Sequence, residues 1–158
     1  MFKKVVVGGT FNRLHKGHQV IIDSAFRIGE SVVIGLTSDE FAARFRAINT
    51  YPYSKRERQL KEYIKKLKEK LGDDKSYQII KIEDSYGIAT IDPDIDCIVV
   101  SEETLLRAEE INAIRFKKGL NKINILVIPI VLADDRKPIS GERIERGKID
   151  KYGRILKK

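Results

Sequence analysis

The chain has 158 residues, 42% of them hydrophobic, a single cysteine and a formal charge of +8. That length suits a single domain over residues 1–158 with one layered core, and no apolar run approaches a membrane span. One cysteine excludes an internal disulfide framework, and the start Met1-Phe2-Lys3-Lys4 has no signal-peptide h-region; both fit a reducing cytoplasm. The first predicted strand covers residues 3–7, where the β-branched run Val5-Val6-Val7 suits the middle of a parallel sheet. Gly8 and Gly9 follow, and are expected to turn the backbone sharply and open it to a ligand. A helix is predicted over 17–28, with Val20, Ile21, Ala25 and Ile28 inward and Gly29 as its C-cap.

The second strand is predicted over 31–36 and a second helix over 38–47, which Pro52 forbids from continuing. Ser54 and Glu57 read as a capping box opening a third helix to residue 71. A strand over 77–82, a loop over 84–89, the turn Asp92-Pro93-Asp94 and a strand over 96–100 come next. A fourth helix over 102–118 stops at Gly119, a fifth strand covers 123–131, and a short last helix begins near Ser140. Residues 151–158 read as a basic tail. Alternating strands and helices predict an α/β single-domain doubly wound parallel sheet, about five strands with helices on both faces.

Positive charge favours phosphate-rich partners. Lys61, Lys65, Lys66, Lys68 and Lys70, however, alternate with Leu60, Ile64, Leu67 and Leu71, which is the wet face of a helix rather than a nucleic-acid groove. No aromatic RNA platform is present. Neither a nucleic-acid nor a membrane partner is expected.

The two histidines of the chain, His15 and His18, stand at the head of the first predicted helix, directly after a strand and a glycine pair. Imidazoles beside the first amides of a helix make a seat for phosphate. Fixed donors of that kind stabilise the charge that spreads over phosphoryl oxygens in nucleotidyl transfer. Two plainer readings stand beside this one: two ligands of a zinc site, or ordinary surface or core histidines. The zinc reading lacks a third histidine, and Cys97 lies in an apolar run where it reads as a core residue. In a parallel sheet ligands sit beyond the carboxyl ends of the strands. The segments 8–18, 37–39, 86–89, 101–104 and 139–146 all fall there.

His15-Lys16-Gly17-His18 resembles the HxGH signature of the nucleotidyltransferase superfamily. Nearly the whole chain is similar to the archaeal-type phosphopantetheine adenylyltransferases, through GGTFNRLHKGH (8–18), GLTSDEF (35–41), YGIATIDPDIDCIVVSEET (86–104), INAIRFKKGL (111–120) and PISGERIERGKID (138–150). The resemblance implies a Rossmann-like fold and transfer of AMP from ATP to 4′-phosphopantetheine, giving dephospho-coenzyme A and pyrophosphate. It implies His18, His15 and Arg143 as catalytic residues, with Gly9, Phe11, Ser101, Glu102, Ile139 and Ser140 joining them around ATP. Thr10, Tyr86, Gly87 and Ile88 would face the acceptor, with Arg44 or Arg46 in place of a lysine expected after strand two. Arg58 would orient its helix or reach the substrate side, the plainer reading being a solvated helix arginine. Mg²⁺ would enter with ATP rather than on protein ligands, and coenzyme A or dephospho-coenzyme A would bind as product-like ligands. Rival readings are a related transferase acting on nicotinamide mononucleotide or a phospho-alcohol, and a nucleotide-binding regulator without catalysis. The last-helix run Ile139-Ser140-Gly141-Glu142-Arg143-Ile144-Glu145-Arg146 departs from the usual ISSTRIR-like pattern, and Asn12 stands where aspartate is usual. Helical periodicity puts Glu142 and Glu145 about 60° or more from the face of Ser140, and so outward.

Overall fold

The computed structural model describes residues 1–45 and 49–156. Five strands form one parallel sheet: β1 (Phe2–Gly9), β2 (Gly29–Thr37), β3 (Ser76–Ile82), β4 (Cys97–Ser101) and β5 (Asn124–Ile128), in the order β3-β2-β1-β4-β5. The helices are α1 (Lys16–Ile28), α2 (Asp39–Phe45), α3 (Tyr53–Leu71), α4 (Leu105–Lys117) and α5 (Gly141–Glu145). The alternation of side chains along β1 sorts the core into two layers. Val5 and Val7 point at Ile22, Ala25 and Phe26 of α1 and at Leu60, Ile64 and Leu67 of α3. Val6 points to the other face, against Ile98, Ala108 and Ile111. Each Val, Ile, Leu or Phe among them contributes about 1.5–3 kcal/mol on burial. The expected doubly wound architecture, with helices on both faces, is therefore what forms. Cys97 is buried in the first layer, and burial pushes its thiol up to about 11.

Several local expectations are corrected. The inward stripe of α1 is Ile22, Ala25 and Phe26, with Ile21 and Ile28 only flanking it. Apolar residues wrap more than one face of this helix, so periodicity alone selects a stripe one position away. Gly29 is the C-cap of α1 as expected, its N–H donating to the Ala25 carbonyl, but it is extended at φ −107° and passes straight into β2, where an added Cβ would lie 2.7 Å from Val5 Cγ2. Ser54 does not cap α3. The Pro52 carbonyl accepts from the amides of Lys55 and Arg56, and Asp39 from the neighbouring helix accepts the Tyr53 N–H at 2.8 Å. The fourth helix is split into a 3-10 turn, Glu102–Thr104, and α4. β5 ends before Pro129, which has no N–H for the ladder.

Beyond β5 the chain builds a small lobe around buried Ala133, Ile139 and Ile149, with antiparallel bridges Leu132–Pro138 and Ile149–Ile155. The stretch expected as a basic tail folds back into this lobe through residue 156. Gly153 sits at φ 85°, and a Cβ there would come within 2.8 Å of Ala133 Cα, so the position calls for glycine on both counts. The Lys151 carbonyl accepts the Lys16 N–H at 2.8 Å, which fastens the lobe to the head of α1. Successive strands step outward from β1 through β2 to β3, and then the chain crosses to β4 and β5. Strand order thus reverses between β1 and β4, and the crevice above that point is where such sheets bind ligands.

Candidate active site

The loop after β1 carries the site, and its conformation is not made by glycine. Gly8 and Gly9, expected to turn the chain, continue β1 in register with Gly35 and Leu36. The left-handed positions are Phe11 (φ 48°) and Arg13 (φ 53°). Side chains tolerate that region only where their surroundings impose it. Here Phe11 is buried in the first core layer. The Arg13 guanidinium lies 4.5 Å above the Tyr51 ring and donates to its hydroxyl at 2.9 Å, and Asn12 Oδ1 accepts the Tyr51 N–H. Segment 49–53, before α3, therefore clamps the loop from the side.

The histidine pair forms the cap of α1. His15 is the N-cap residue, and its Nδ1 accepts the Gly17 N–H at 3.1 Å. His18, three positions on, accepts the His15 N–H on its own Nδ1 at 3.2 Å. This is a capping box built from imidazoles, satisfying two helix-start amides reciprocally. The rings stack with centroids 3.7 Å apart, and Phe11 packs edge-on to His18 at 5.3 Å. An Nδ1 that accepts fixes the neutral ring's proton on Nε2. Both imidazoles are thereby set as Nε2–H donors. Gly17 is needed for the fold-back, since a Cβ there would lie 2.9 Å from His15 Cε1.

The remaining sequence-derived residues divide. Thr10 is buried behind the loop, and its Oγ1 accepts from the Thr37 hydroxyl at 3.0 Å. Ser101 ends β4 and Glu102 follows it on the opposite lip of the crevice, where Glu102 accepts the Ile130 N–H. Ser140 caps α5, accepting the Arg143 N–H at 3.2 Å. Arg143 pairs with Asp135 and donates to the carbonyls of Lys137 and Pro138. Burial would raise the Asp135 carboxyl, but the Lys137 amide and the Arg143 guanidinium hold it below the ordinary range. The Ile139 side chain lies in the core of the C-terminal lobe. Tyr86 packs against the second core layer, and its hydroxyl donates to Glu110, a bond that raises its pKa. Gly87 takes φ 55° and starts a 3-10 turn that includes Ile88. Arg44 is exposed on the last turn of α2; Arg46 lies outside the described residues.

One expectation about charge is corrected. Glu145 does not point outward: it faces Arg13, with oxygen and nitrogen 3.8 Å apart, so α5 packs beside the loop. Glu142 does face solvent and pairs with Arg146. Arg58, singled out in α3, is exposed, and the interior arginine of that helix is Arg56. Arg56 donates to Tyr51 O, Thr10 O, Thr37 Oγ1 and Asp39 Oδ1. Arg115, also fully buried, donates to the carbonyls of Asn121, Ala89, Asp92 and Ile95. A signal for both was present. Arg56 precedes Leu60, Ile64 and Leu67 on the apolar stripe of α3, and Arg115 continues the stripe of Ala108 and Ile111.

A strand, a strained loop and a histidine-capped helix at the switch point define a nucleotidyltransferase-type site. The chain belongs to the cytidylyltransferase-like family, whose model matches residues 6–147. It is 46% identical over 99% of its length to the phosphopantetheine adenylyltransferase of Methanothermobacter thermautotrophicus, covering 92% of that protein. It is 42% identical over 94% of its length to the protein of the same name from Methanopyrus kandleri, again covering 92%. A crystal structure of a protein of unknown function from Archaeoglobus fulgidus superimposes with a TM-score of 0.68 at 38% identity, over 79% of this chain and 88% of that one.

Proposed function

We propose that this protein transfers the adenylyl group of ATP to 4′-phosphopantetheine, giving dephospho-coenzyme A and pyrophosphate. The names of its near-full-length relatives support that reaction and do not favour nicotinamide mononucleotide or a phospho-alcohol as acceptor. The observation that carries the reading is the pair of imidazoles whose Nδ1 atoms are both spent on backbone amides. That acceptance places the proton of each neutral ring on Nε2, at the strand-order reversal.

In this reading the acceptor's phosphate oxygen attacks the α-phosphorus of ATP in line. The new P–O bond forms as the α–β bridging bond breaks, and the electron pair leaves with pyrophosphate. The acceptor is already an anion, so no general base is required. His15 and His18 donate to the triphosphate, and His18 meets the charge that builds on the α-phosphoryl group. Gly9 and Phe11 bound the nucleotide through the loop backbone, while Ser101 and Glu102 lie on the adenosine side. Ser140 and Arg143 take the leaving pyrophosphate. Arg143 is already paired with Asp135, so it exchanges that carboxylate for phosphate oxygens. Thr10 holds the acceptor phosphate, Tyr86 to Ile88 line the pantetheine arm, and Arg44 supplies positive charge on that side. Mg²⁺ travels on the triphosphate; among the described residues no three His, Cys, Asp or Glu side chains come together as a metal site. A cytoplasmic enzyme fits this chemistry, and no helix among the described residues is long and apolar enough to cross a membrane.

The test is pyrophosphate release with ATP and each of the three acceptors, with and without a chelator. The expected result is turnover with 4′-phosphopantetheine alone, abolished by chelation and restored by Mg²⁺. ATP binding without pyrophosphate release from any acceptor would refute the enzyme and support a regulator.

A further inference from the structure

Arg56 is the most deeply placed cation beside the site, with no solvent exposure. A buried guanidinium is costly unless its donors meet acceptors, and here they reach four residues on three separate segments. Nε donates to the Tyr51 carbonyl at 2.8 Å, and Nη2 to Asp39 Oδ1 at 2.9 Å. Nη1 serves two atoms, the Thr10 carbonyl at 3.0 Å and Thr37 Oγ1 at 3.4 Å.

The network runs outward from the guanidinium, through the Thr37 hydroxyl to Thr10. A guanidinium has no acceptor, so the Thr37 hydroxyl must accept from Arg56. Its own proton then turns to Thr10 Oγ1, 3.0 Å away. Thr10 accepts in turn, and its hydroxyl proton is aimed away from Thr37. That is the polarity an oxyanion requires of a neighbouring hydroxyl. Chained hydrogen bonds reinforce one another in a dry site, and Arg56, Thr37 and Thr10 are all buried.

We propose that Arg56 is a positioning residue for the acceptor-phosphate subsite: it touches no substrate, but it fixes both the carbonyl and the hydroxyl polarity of Thr10. The inference rests on the assignment of Thr10 to the acceptor phosphate made above. The bonds of Arg56 go to Tyr51, Thr10, Thr37 and Asp39, which places its action on the acceptor side of the reaction.

Steady-state pyrophosphate release, with ATP and 4′-phosphopantetheine varied in turn, tests it on Arg56→Lys, Thr37→Val, Thr10→Val and Leu67→Ala, each also unfolded in urea. Leu67 lies in the core about three turns further along the same helix and serves as a loss of stability that removes no hydrogen bond of the network. Arg56→Lys and Thr37→Val are each expected to raise KM for 4′-phosphopantetheine about fivefold to tenfold, the equivalent of one net hydrogen bond. KM for ATP is expected to stay at its wild-type value, and Leu67→Ala to move neither. If Thr10→Val raises the acceptor KM while Thr37→Val and a folded Arg56→Lys leave it unchanged, the positioning role falls and the subsite stands. If Thr10→Val has no effect, the subsite assignment falls and takes the inference with it. Equal rises in both KM values would make Arg56 a purely structural residue and overturn the proposal. Should Arg56→Lys fail to fold, Thr37→Val decides the matter alone.

Discussion

Replacing His18 by alanine removes two things that separate cleanly. One is a cap: the His18 Nδ1 accepts the His15 N–H at 3.2 Å and completes the reciprocal box at the head of α1. Losing a side-chain cap costs about 0.5–2 kcal/mol, and each kcal/mol lowers Tm by about 2–4 °C in a domain of roughly this size. The other is the Nε2–H donor, which the cap orients. Removing a preorganised donor to a developing charge costs about 2.7–4 kcal/mol in the barrier, or about 10²–10³ in turnover. His18→Asn divides the two effects, since its side-chain oxygen can still accept the His15 N–H but no ring nitrogen extends beyond it. The expected pattern is a Tm a few degrees lower for His18→Ala and near wild type for His18→Asn, with turnover down by two to three orders of magnitude in both. Melting curves and pyrophosphate-release rates on the same preparations read it out. Wild-type turnover in His18→Asn would refute the donor role. Loss of turnover in His18→Ala alone would make His18 a helix cap and nothing more.

Gly29→Ala brings a Cβ within 2.7 Å of Val5 Cγ2 and 3.0 Å of the Ser31 carbonyl; at the junction of α1 and β2 it is expected to cost about 1–3 kcal/mol of stability, measured by urea unfolding, and an unchanged midpoint would show that the sheet gives way freely. Tyr63 is raised above its ordinary value of 10, first by burial and then by its hydrogen bond to Asp23. Because the folded state holds the phenol protonated, this stabilisation is complete below about pH 10 and is lost as pH climbs through the higher folded value. Tyr63→Phe is therefore expected to be less stable than wild type at neutral pH, with the gap closing in strong alkali; a gap that widens there would invert the assignment.

The sequence by itself determined the alternation of strands and helices, the two-sided sheet, the buried cysteine and the place of the paired histidines at the head of the first helix. These are local patterns. A β-branched run, a 3.6-residue apolar stripe and a histidine spacing of three each carry their meaning within a few residues. Tertiary structure alone decided which groups met. The first loop turns at Phe11 and Arg13 rather than at Gly8 and Gly9, because Tyr51 and the core hold those two residues in the left-handed region. α3 is capped by Asp39 and not by Ser54, and Glu145 faces Arg13 instead of solvent. Arg56 was legible only as a charge on an apolar stripe; that it joins Thr10, Thr37, Asp39 and Tyr51 depended on segments far apart in the chain arriving at one point. A donor states its need in the sequence, but the acceptor that meets it is supplied by the packing of the whole sheet.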